Sequence, residues 1–233
     1  KIFAMKILYK LTSRSRPLKM LRTIRSIYNN AIMDDYHIHC TLDEDDTATN
    51  NPSVTELLEL SDHLSFRFGT SKSKVDAINR DMDTISYNWD ILVNMSDDMI
   101  FIKHGFDEII ISDFIHCADI HGRLDTVLHY DDGNKYKSDL MTMSIIGREY
   151  FKRDNYIYCP DYISLWCDNE AMDVAKIRGK YKYMGDNNIL FNHLHPMHVK
   201  GIFADAQARY TDSFYQQDKK TYERRKLNNF NLK

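Results

Sequence analysis

Trp89-Asp90-Ile91-Leu92-Val93-Asn94-Met95-Ser96-Asp97-Asp98-Met99 is the stretch on which the reading of this chain turns. Its apolar centre has the length and residue types of a buried strand, and it delivers two adjacent acids at its carboxyl end. Upstream, Ile2 to Leu11 (IFAMKILYKL) is apolar enough for a first buried strand. A polar turn, Thr12 to Pro17, leads from it into a helix on which Leu18, Leu21, Ile24 and Ile27 recur at helical spacing. Tyr36 to Leu42 (YHIHCTL) predicts a second strand, ending in Asp43-Glu44-Asp45-Asp46. Val54 to Leu60 predicts a short helix, with Ser53 and Glu56 at capping-box spacing. Leu64 to Phe68 predicts a third strand, and Ser73 caps a helix carrying Val75, Ile78 and Met82.

Such alternation predicts an α/β fold with a mostly parallel central sheet flanked by helices. Ligands of such sheets bind beyond the carboxyl ends of the strands. Three polar clusters end three of these strands: Ser13 to Arg16, Asp43 to Asp46, and Asp97-Asp98. Together they would line one crevice.

The second half is less regular. Glu108 to Ile111 and Leu124 to Tyr130 read as strands, with Asp131-Asp132-Gly133-Asn134 as a hairpin-type turn. Ile145 to Lys152 reads as a short helix, and Asp168 to Arg178 as a longer one that stops at Gly179. His193-Leu194-His195-Pro196 follows an apolar run, and from Asp205 onward the chain is polar, helix-compatible and basic at its end. One domain is expected over 1–204, divided into halves of about 1–100 and 101–204, with 205–233 as a helical or flexible basic tail.

The 233 residues, 43% hydrophobic and 28% charged, suffice for one sizeable core, and 8 Gly and 4 Pro argue against a disordered or fibrous chain. A net charge of -3 excludes a globally basic surface, so nucleic acid is not an expected partner. Cys40, Cys117, Cys159 and Cys167 form no metal or disulfide spacing and predict free, buried thiols in a reducing compartment. No apolar run approaches a membrane span, and no stretch has the order of a signal peptide. Met5 is read as the natural start and the protein as cytoplasmic. The P-loop, dinucleotide, zincin and hydrolase motifs are all missing, which removes the main support for those functions.

What chemistry remains is acid-rich. Adjacent Asp97 and Asp98 at a strand end offer hard oxygen ligands to a divalent ion, Mn2+ or Mg2+, that neutralises a departing diphosphate; a solvated turn is the plainer reading. Asp43 and Asp45 compete as the metal site or contact the ribose or base. His193 or His195, alternating along an extended segment, could complete a metal shell, and His198 nearby makes zinc conceivable. Arg14 and Arg16 stand where cations could meet phosphate. Asp168 or Glu170 could act as a general base beside the aromatic floor of Trp166; helix capping explains both equally well.

In this order, Lys10 to Pro17 (KLTSRSRP), the Asp43 cluster, Lys74 with Ala77-Ile78-Asn79, Trp89 to Val93 and Ser96-Asp97-Asp98-Met99 resemble GT-A-fold glycosyltransferases, family 2-like. Cys159-Pro160-Asp161-Tyr162, Trp166 to Glu170 and His193 to Pro196 continue the resemblance, which covers roughly residues 5 to 200. It implies a Rossmann-like parallel sheet with a small antiparallel acceptor-side sheet. It implies a nucleotide-sugar donor, by expectation a UDP-sugar, held by Ser13, Arg14, Arg16, Asp43, Asp45, Lys74, Asn79 and Asp97. Asp43 falls where such enzymes contact the base, and Asp97-Asp98 where their D-x-D motif binds metal and diphosphate. Here the first position of that motif is Ser96, so Asp98 is the expected metal ligand, helped by Asp97 and by His193 or His195. Asp168 or Glu170 falls near the base of inverting members, and Trp166 on the acceptor side. The implied activity is metal-dependent hexosyl transfer, with inversion, to a hydroxyl of a glycan, a lipid-linked or a protein acceptor. The basic end, Lys219 to Lys226, could meet an anionic membrane surface or a partner glycosyltransferase; a solvated helix or frayed tail is the plainer reading. Two other functions compete: a nucleotidyltransferase, which would want a Gly-rich loop where Ser13 to Pro17 has none, and a non-catalytic carbohydrate-binding protein of the same fold.

Overall fold

The computed structural model describes residues 5–122, 124–134, 136–185, 188–196, 201 and 203–232, with the backbone alone at 119–121. Ile2, Phe3 and Ala4 of the expected first strand, and His198, lie outside the described residues.

Four parallel strands come first, because each apolar run is followed by a helix long enough to cross back. They are β1 (Ile7–Thr12), β2 (Tyr36–Asp43), β3 (Leu64–Gly69) and β4 (Ile91–Ser96). The helices α1 (Pro17–Asn30), α2 (Pro52–Leu58) and α3 (Lys74–Asn79) connect them. Pro17 opens α1 at a position where its missing N–H costs nothing, and the Ser73 hydroxyl caps α3 by accepting from the Asp76 N–H at 3.1 Å. The remainder comprises β5 (Met99–Phe101), α4 (Phe106–His121), β6 (Val127–His129), β7 (Ile145–Gly147), α5 (Arg148–Phe151), α6 (Cys167–Ile177), β8 (Tyr181–Tyr183), β9 (Phe191–His193), α7 (Ala206–Asp212) and α8 (Tyr215–Leu227). Among the described residues seven strands form one sheet in the order β3-β2-β1-β4-β7-β6-β8, and β5 pairs antiparallel with β9 in a small second sheet. This is the expected architecture.

Alternation along β1 sorts the two cores. Ile7, Tyr9 and Leu11 pack with α1 and α4, whereas Leu8 faces α3, α6 and the aromatic cluster of Tyr150, Tyr158 and Tyr162. The four cysteines are free and buried, as their spacing predicts. No helix among the described residues is long and apolar enough to cross a membrane.

Several local expectations are corrected. Glu108 to Ile111 is helical: Phe106, Ile110, Phe114 and Cys117 recur at helical spacing and are buried, and that period overrides the isoleucine run. Ile145 to Gly147 is a strand paired with β4, so the helix read over Ile145 to Lys152 shrinks to α5. Helix α2 starts two residues earlier, with Asn51 as N-cap and Pro52 in the first turn, which leaves Ser53 inside it. Helix α3 stops at Asn79, short of Met82, where Asp81 takes a left-handed φ of 73°. Asp131 to Asn134 is a turn, but β6 and β7 are joined by the long segment 130–144, too long for a two-residue hairpin.

Two imidazoles are buried against this frame. His39, on β2 near Lys10 and Asp81, and His129, on β6 with Nδ1 2.7 Å from the Tyr181 hydroxyl, are each lowered to about 4. Burial is the main cause in both; Lys10 adds to it at His39, while Asp81 and Asp132 oppose it. A folded-state value below the unfolded one means that the proton prefers the unfolded chain. The stabilisation is complete above about pH 6.5 and is lost as the pH falls through 4. The melting temperature is therefore expected to fall steeply over that window, and His129→Gln to flatten the slope; a pH series of thermal melts of both proteins measures it.

Candidate active site

The site begins with strand register. β1 and β4 pair with Thr12 opposite Ser96, so Ser13 and Asp97 leave the sheet side by side. The strand order reverses between these two strands, which is where open α/β sheets bind ligands. Ser13 Oγ donates to Asp97 Oδ2 at 2.7 Å, and Arg16 Nη1 donates to Oδ1 at 3.2 Å. Both oxygens of Asp97 are thus engaged. Burial, and then the neighbouring Asp98, push its pKa up to about 6 against the pull of Arg16 and Ser13.

Arg16 reaches further. Its Nε and Nη2 donate to the two oxygens of Asp205 at 2.9 and 2.5 Å, and Lys19 adds a contact of 2.8 Å. Asp205 is also the N-cap of α7, accepting from the Ala208 N–H at 2.9 Å. One guanidinium therefore joins the β4 turn to a helix that lies 189 residues from Arg16 in the chain. On the other side Arg14 pairs with Asp43 at 2.9 Å and with Asp45 at 2.6 Å, while Arg80 lies 3.5 Å from the other Asp43 oxygen.

Asp98 is held differently. Ser96 Oγ donates to its Oδ1 at 2.5 Å, and His193 Nε2 stands 3.4 Å from the same oxygen. Pairing of Met99 with His193 in the β5–β9 ladder brings that imidazole in, and its Nδ1 lies 3.5 Å from Asp132. Burial alone would lower His193; the two carboxylates outweigh it and push the ring up to about 9. Burial opposes ionisation at Asp98 and Asp132 as well. Hydrogen bonds from His193 and its neighbours prevail, holding Asp98 well below the carboxylate range and Asp132 at about 2. An imidazolium between two carboxylates is the resting arrangement.

These groups share a cavity of about 870 Å³. One wall carries Ser13, Arg14, Arg16, Asp43, Asp45 and Lys74, with Asp97 and Asp98 at the floor; Trp166, Asp168, His193 and His195 also line it. The three strand-end clusters do meet. Two expected residues do not line it. Asn79 turns its side chain to the backbone of Ile157 and Tyr158, at 2.7 to 3.1 Å. Glu170 is buried behind α6, bonded to the Tyr162 hydroxyl at 2.7 Å and doubly to Arg225 at 2.7 and 2.8 Å. The two helix-opening acids are thereby distinguished: Asp168 lines the cavity, and Glu170, on another face of the helix, braces α8. Burial raises the Asp168 pKa, partly offset by the Asn169 N–H and by Lys74.

The loop before Asp168 is fixed by a residue whose role the sequence did not signal. Asp218 of α8, fully buried, accepts from the N–H groups of Ile163, Ser164 and Leu165 at 2.8 to 3.0 Å. Trp166 then takes a left-handed φ of 63°, with Tyr215 and Tyr222 packed on its ring at 5.5 and 5.1 Å. The basic end is engaged with this same half: Arg225 is buried, Lys219 stands over Trp166 at 6.0 Å, Arg224 meets Asp161 and Lys226 meets Asp173. Asp132 was legible only as a turn acid, Asp205 only as a helix start; their partners are set by the fold.

Among the described residues no group of three or more His, Cys, Asp or Glu side chains is disposed to hold a metal unaided. Asp98 nevertheless takes its Ser96 and His193 contacts on Oδ1, which leaves Oδ2 for an ion whose remaining ligands come from a diphosphate and water. Asp97, with both oxygens bonded, suits the role of supporting Ser13 and Arg16.

A mostly parallel sheet with a basic-and-acidic crevice at its switch point defines an α/β protein of the doubly wound kind. The particular variant is the GT-A fold, as solved structures establish. The chain superposes on the mannosyltransferase PcManGT from Pyrobaculum calidifontis, in complex with GDP-Man and Mn2+, with a TM-score of 0.63 at 12% identity. It superposes on S. aureus TarS in complex with UDP, TM-score 0.61 at 11% identity, and in complex with UDP-GlcNAc, TM-score 0.61 at 10% identity. These matches cover 85%, 81% and 86% of this chain, which spans 59% to 62% of the length of the structures it matches. No protein-family model and no curated protein matches the chain in sequence.

The Arg225–Glu170 pair offers a check on how α8 is held against α6. Arg225→Met leaves Glu170 buried without its cation, and we expect a loss of about 3 to 5 kcal/mol in urea unfolding. Arg225→Met combined with Glu170→Met should recover most of that loss.

Proposed function

We propose that the chain transfers a sugar from a nucleotide diphosphate donor to a hydroxyl acceptor, with the donor site on about 1–100 and the acceptor site on about 101–204. The observation that carries this reading is the convergence, in one cavity at the switch point, of the Arg14, Arg16 and Lys74 cations with the Asp97-Asp98 pair, opposite the buried carboxyl of Asp168. The neighbours' ligands, GDP-Man and Mn2+ in PcManGT and UDP and UDP-GlcNAc in TarS, support it.

The base enters beside Asp43 and the diphosphate lies against Ser13, Arg16 and Lys74, whose donors and charge suit phosphate oxygens. Asp98 Oδ2, with the diphosphate, would hold Mn2+ or Mg2+, an ion that would supply charge neutralisation at the leaving group. Asp168 takes the proton of the acceptor hydroxyl while that oxygen forms a bond to the anomeric carbon and the carbon–oxygen bond to the diphosphate breaks. A carboxyl whose pKa is raised by burial suits a base working near neutrality. One displacement inverts the anomeric centre. A glycan, a lipid-linked sugar or a protein hydroxyl could serve as acceptor, and the paired basic end of α8 leaves only its outer face for a membrane or a partner enzyme.

Isothermal titration with UDP-sugars and GDP-mannose, each with Mn2+, tests the reading; no binding of any nucleotide or nucleotide sugar would sink it. Asp98→Ala is expected to abolish Mn2+-dependent donor hydrolysis with the fold intact; full activity would move the metal site to Asp43 and Asp45. Asp168→Asn should keep donor affinity and lower transfer by about 10²- to 10⁴-fold. Unimpaired transfer would remove Asp168 as the base.

A further inference from the structure

Outside the ion-paired Asp43 and His193, four polar atoms on residues lining the cavity have no hydrogen-bond partner among the described residues: Ser71 Oγ on the loop before α3, and Asn94 Oδ1, Ser164 Oγ and Trp166 Nε1, whose elements flank Asp97 and Asp168. Asn94 and Ser164 are 4% and 3% exposed, so water does not freely solvate them. A buried polar atom left unbonded costs about 1 to 3 kcal/mol, and natural proteins tolerate few of them without a reason. Three of them on the elements that flank Asp97 and Asp168 point to a ligand that completes them.

Their chemistry narrows that ligand. Asn94 Oδ1 only accepts, Trp166 Nε1 only donates, and Ser164 Oγ does either. A carboxylate or phosphate has no proton for Asn94, and an ammonium has no lone pair for Trp166. A hydroxyl group serves all three. The mixed set therefore fits a neutral, hydroxyl-rich ring and disfavours an acidic one, the more so because Asp97, Asp98 and Asp168 line the same space.

Position narrows it again. Asn94 stands on β4 two residues before Ser96, pointing to the cavity side of the sheet; Ser164 and Trp166 stand just before Asp168 on the loop that Asp218 fixes. The three atoms thus belong to elements that flank the diphosphate floor on one side and the candidate base on the other. On the transferase reading, which this inference rests on, that interval holds the sugar being transferred. We propose that Asn94, Ser164 and Trp166 form a subsite that selects a neutral sugar on the donor. The three residues leave their polar atoms unbonded in the free protein and bond the ring's hydroxyls when the donor binds.

The test compares a nucleotide with its sugar derivative, using the UDP and UDP-GlcNAc pair and the GDP and GDP-mannose pair, on the wild type, Ser164→Ala and Trp166→Phe. Each substitution removes one unbonded polar atom and keeps most of the shape. For the pair that the wild type binds, we expect nucleotide affinity to change less than about twofold and nucleotide-sugar affinity to fall about tenfold, the worth of one hydrogen bond to a neutral group. The melting temperature of free Ser164→Ala should hold or rise, because an unbonded hydroxyl is lost; a clear fall would show that Ser164 Oγ was bonded and would overturn its role. An unchanged ratio of sugar-bearing to bare nucleotide affinity in both variants would overturn the subsite while leaving the donor reading standing. Tighter wild-type binding of UDP-glucuronate than of UDP-GlcNAc would overturn selection of a neutral ring. Failure of the wild type to bind any of these nucleotides would remove the donor reading itself, and the subsite with it.

Discussion

Everything at the site depends on the parallel pairing of β1 with β4. Once Thr12 lies opposite Ser96, the residues that follow, Ser13 and Asp97, must emerge together, and the hydrogen bond between them is a consequence of register. A one-residue slip would turn every side chain of β4 to the other core and separate the pair. Arg16, three residues beyond Ser13 and just after a left-handed Ser15, can then span Asp97 and Asp205, which brings α7 to the mouth of the cavity. The roof of the site is thus tied by charge to its floor.

Adjacent aspartates acquire different characters from different neighbours. Asp97 and Asp98 are about equally buried, and burial opposes ionisation of both. Asp97 also feels its neighbour's charge and retains a proton until about pH 6 in spite of Arg16 and Ser13, whereas His193, Ser96 and Lys74 keep Asp98 ionised. The floor therefore holds one ionised carboxylate beside His193 and one bonded to Ser13 and Arg16. A sequence shows two equal letters there. Separation of their roles comes from His193, which reaches Asp98 only because β9 pairs with β5.

The α6 side of the cavity depends on contacts between other distant segments. Asp218 gathers three backbone N–H groups of the 163–165 loop, and Arg225 grips Glu170 across 55 residues of chain. Locally, 205–233 reads as a polar, basic end, and nothing in its composition announces that one acid and one arginine are buried. The same long-range pairing holds Glu170 away from the cavity that Asp168 lines. Helix phase alone could have separated the two, because residues two apart point to different faces, but it could not have said which face meets the cavity.

Sequence by itself determined the alternation of β1 to β4 with their helices, the buried thiols, the caps at Ser73 and Pro17, and the polar clusters at three strand ends. Each is a local property, set by side-chain period, turn chemistry or backbone geometry within a few residues. Where two local signals competed, the sequence misled: three consecutive isoleucines at Ile109 to Ile111 look like a strand, and the helical recurrence from Phe106 to Cys117 decides otherwise because that face can be buried against β1. Tertiary structure alone decided that Asn79 binds backbone, that Asp132 and Asp98 share His193, and that Asp205 and Asp97 share Arg16. Ion pairs and hydrogen bonds form between groups brought close by chain crossing, and no local pattern encodes which distant partner will arrive.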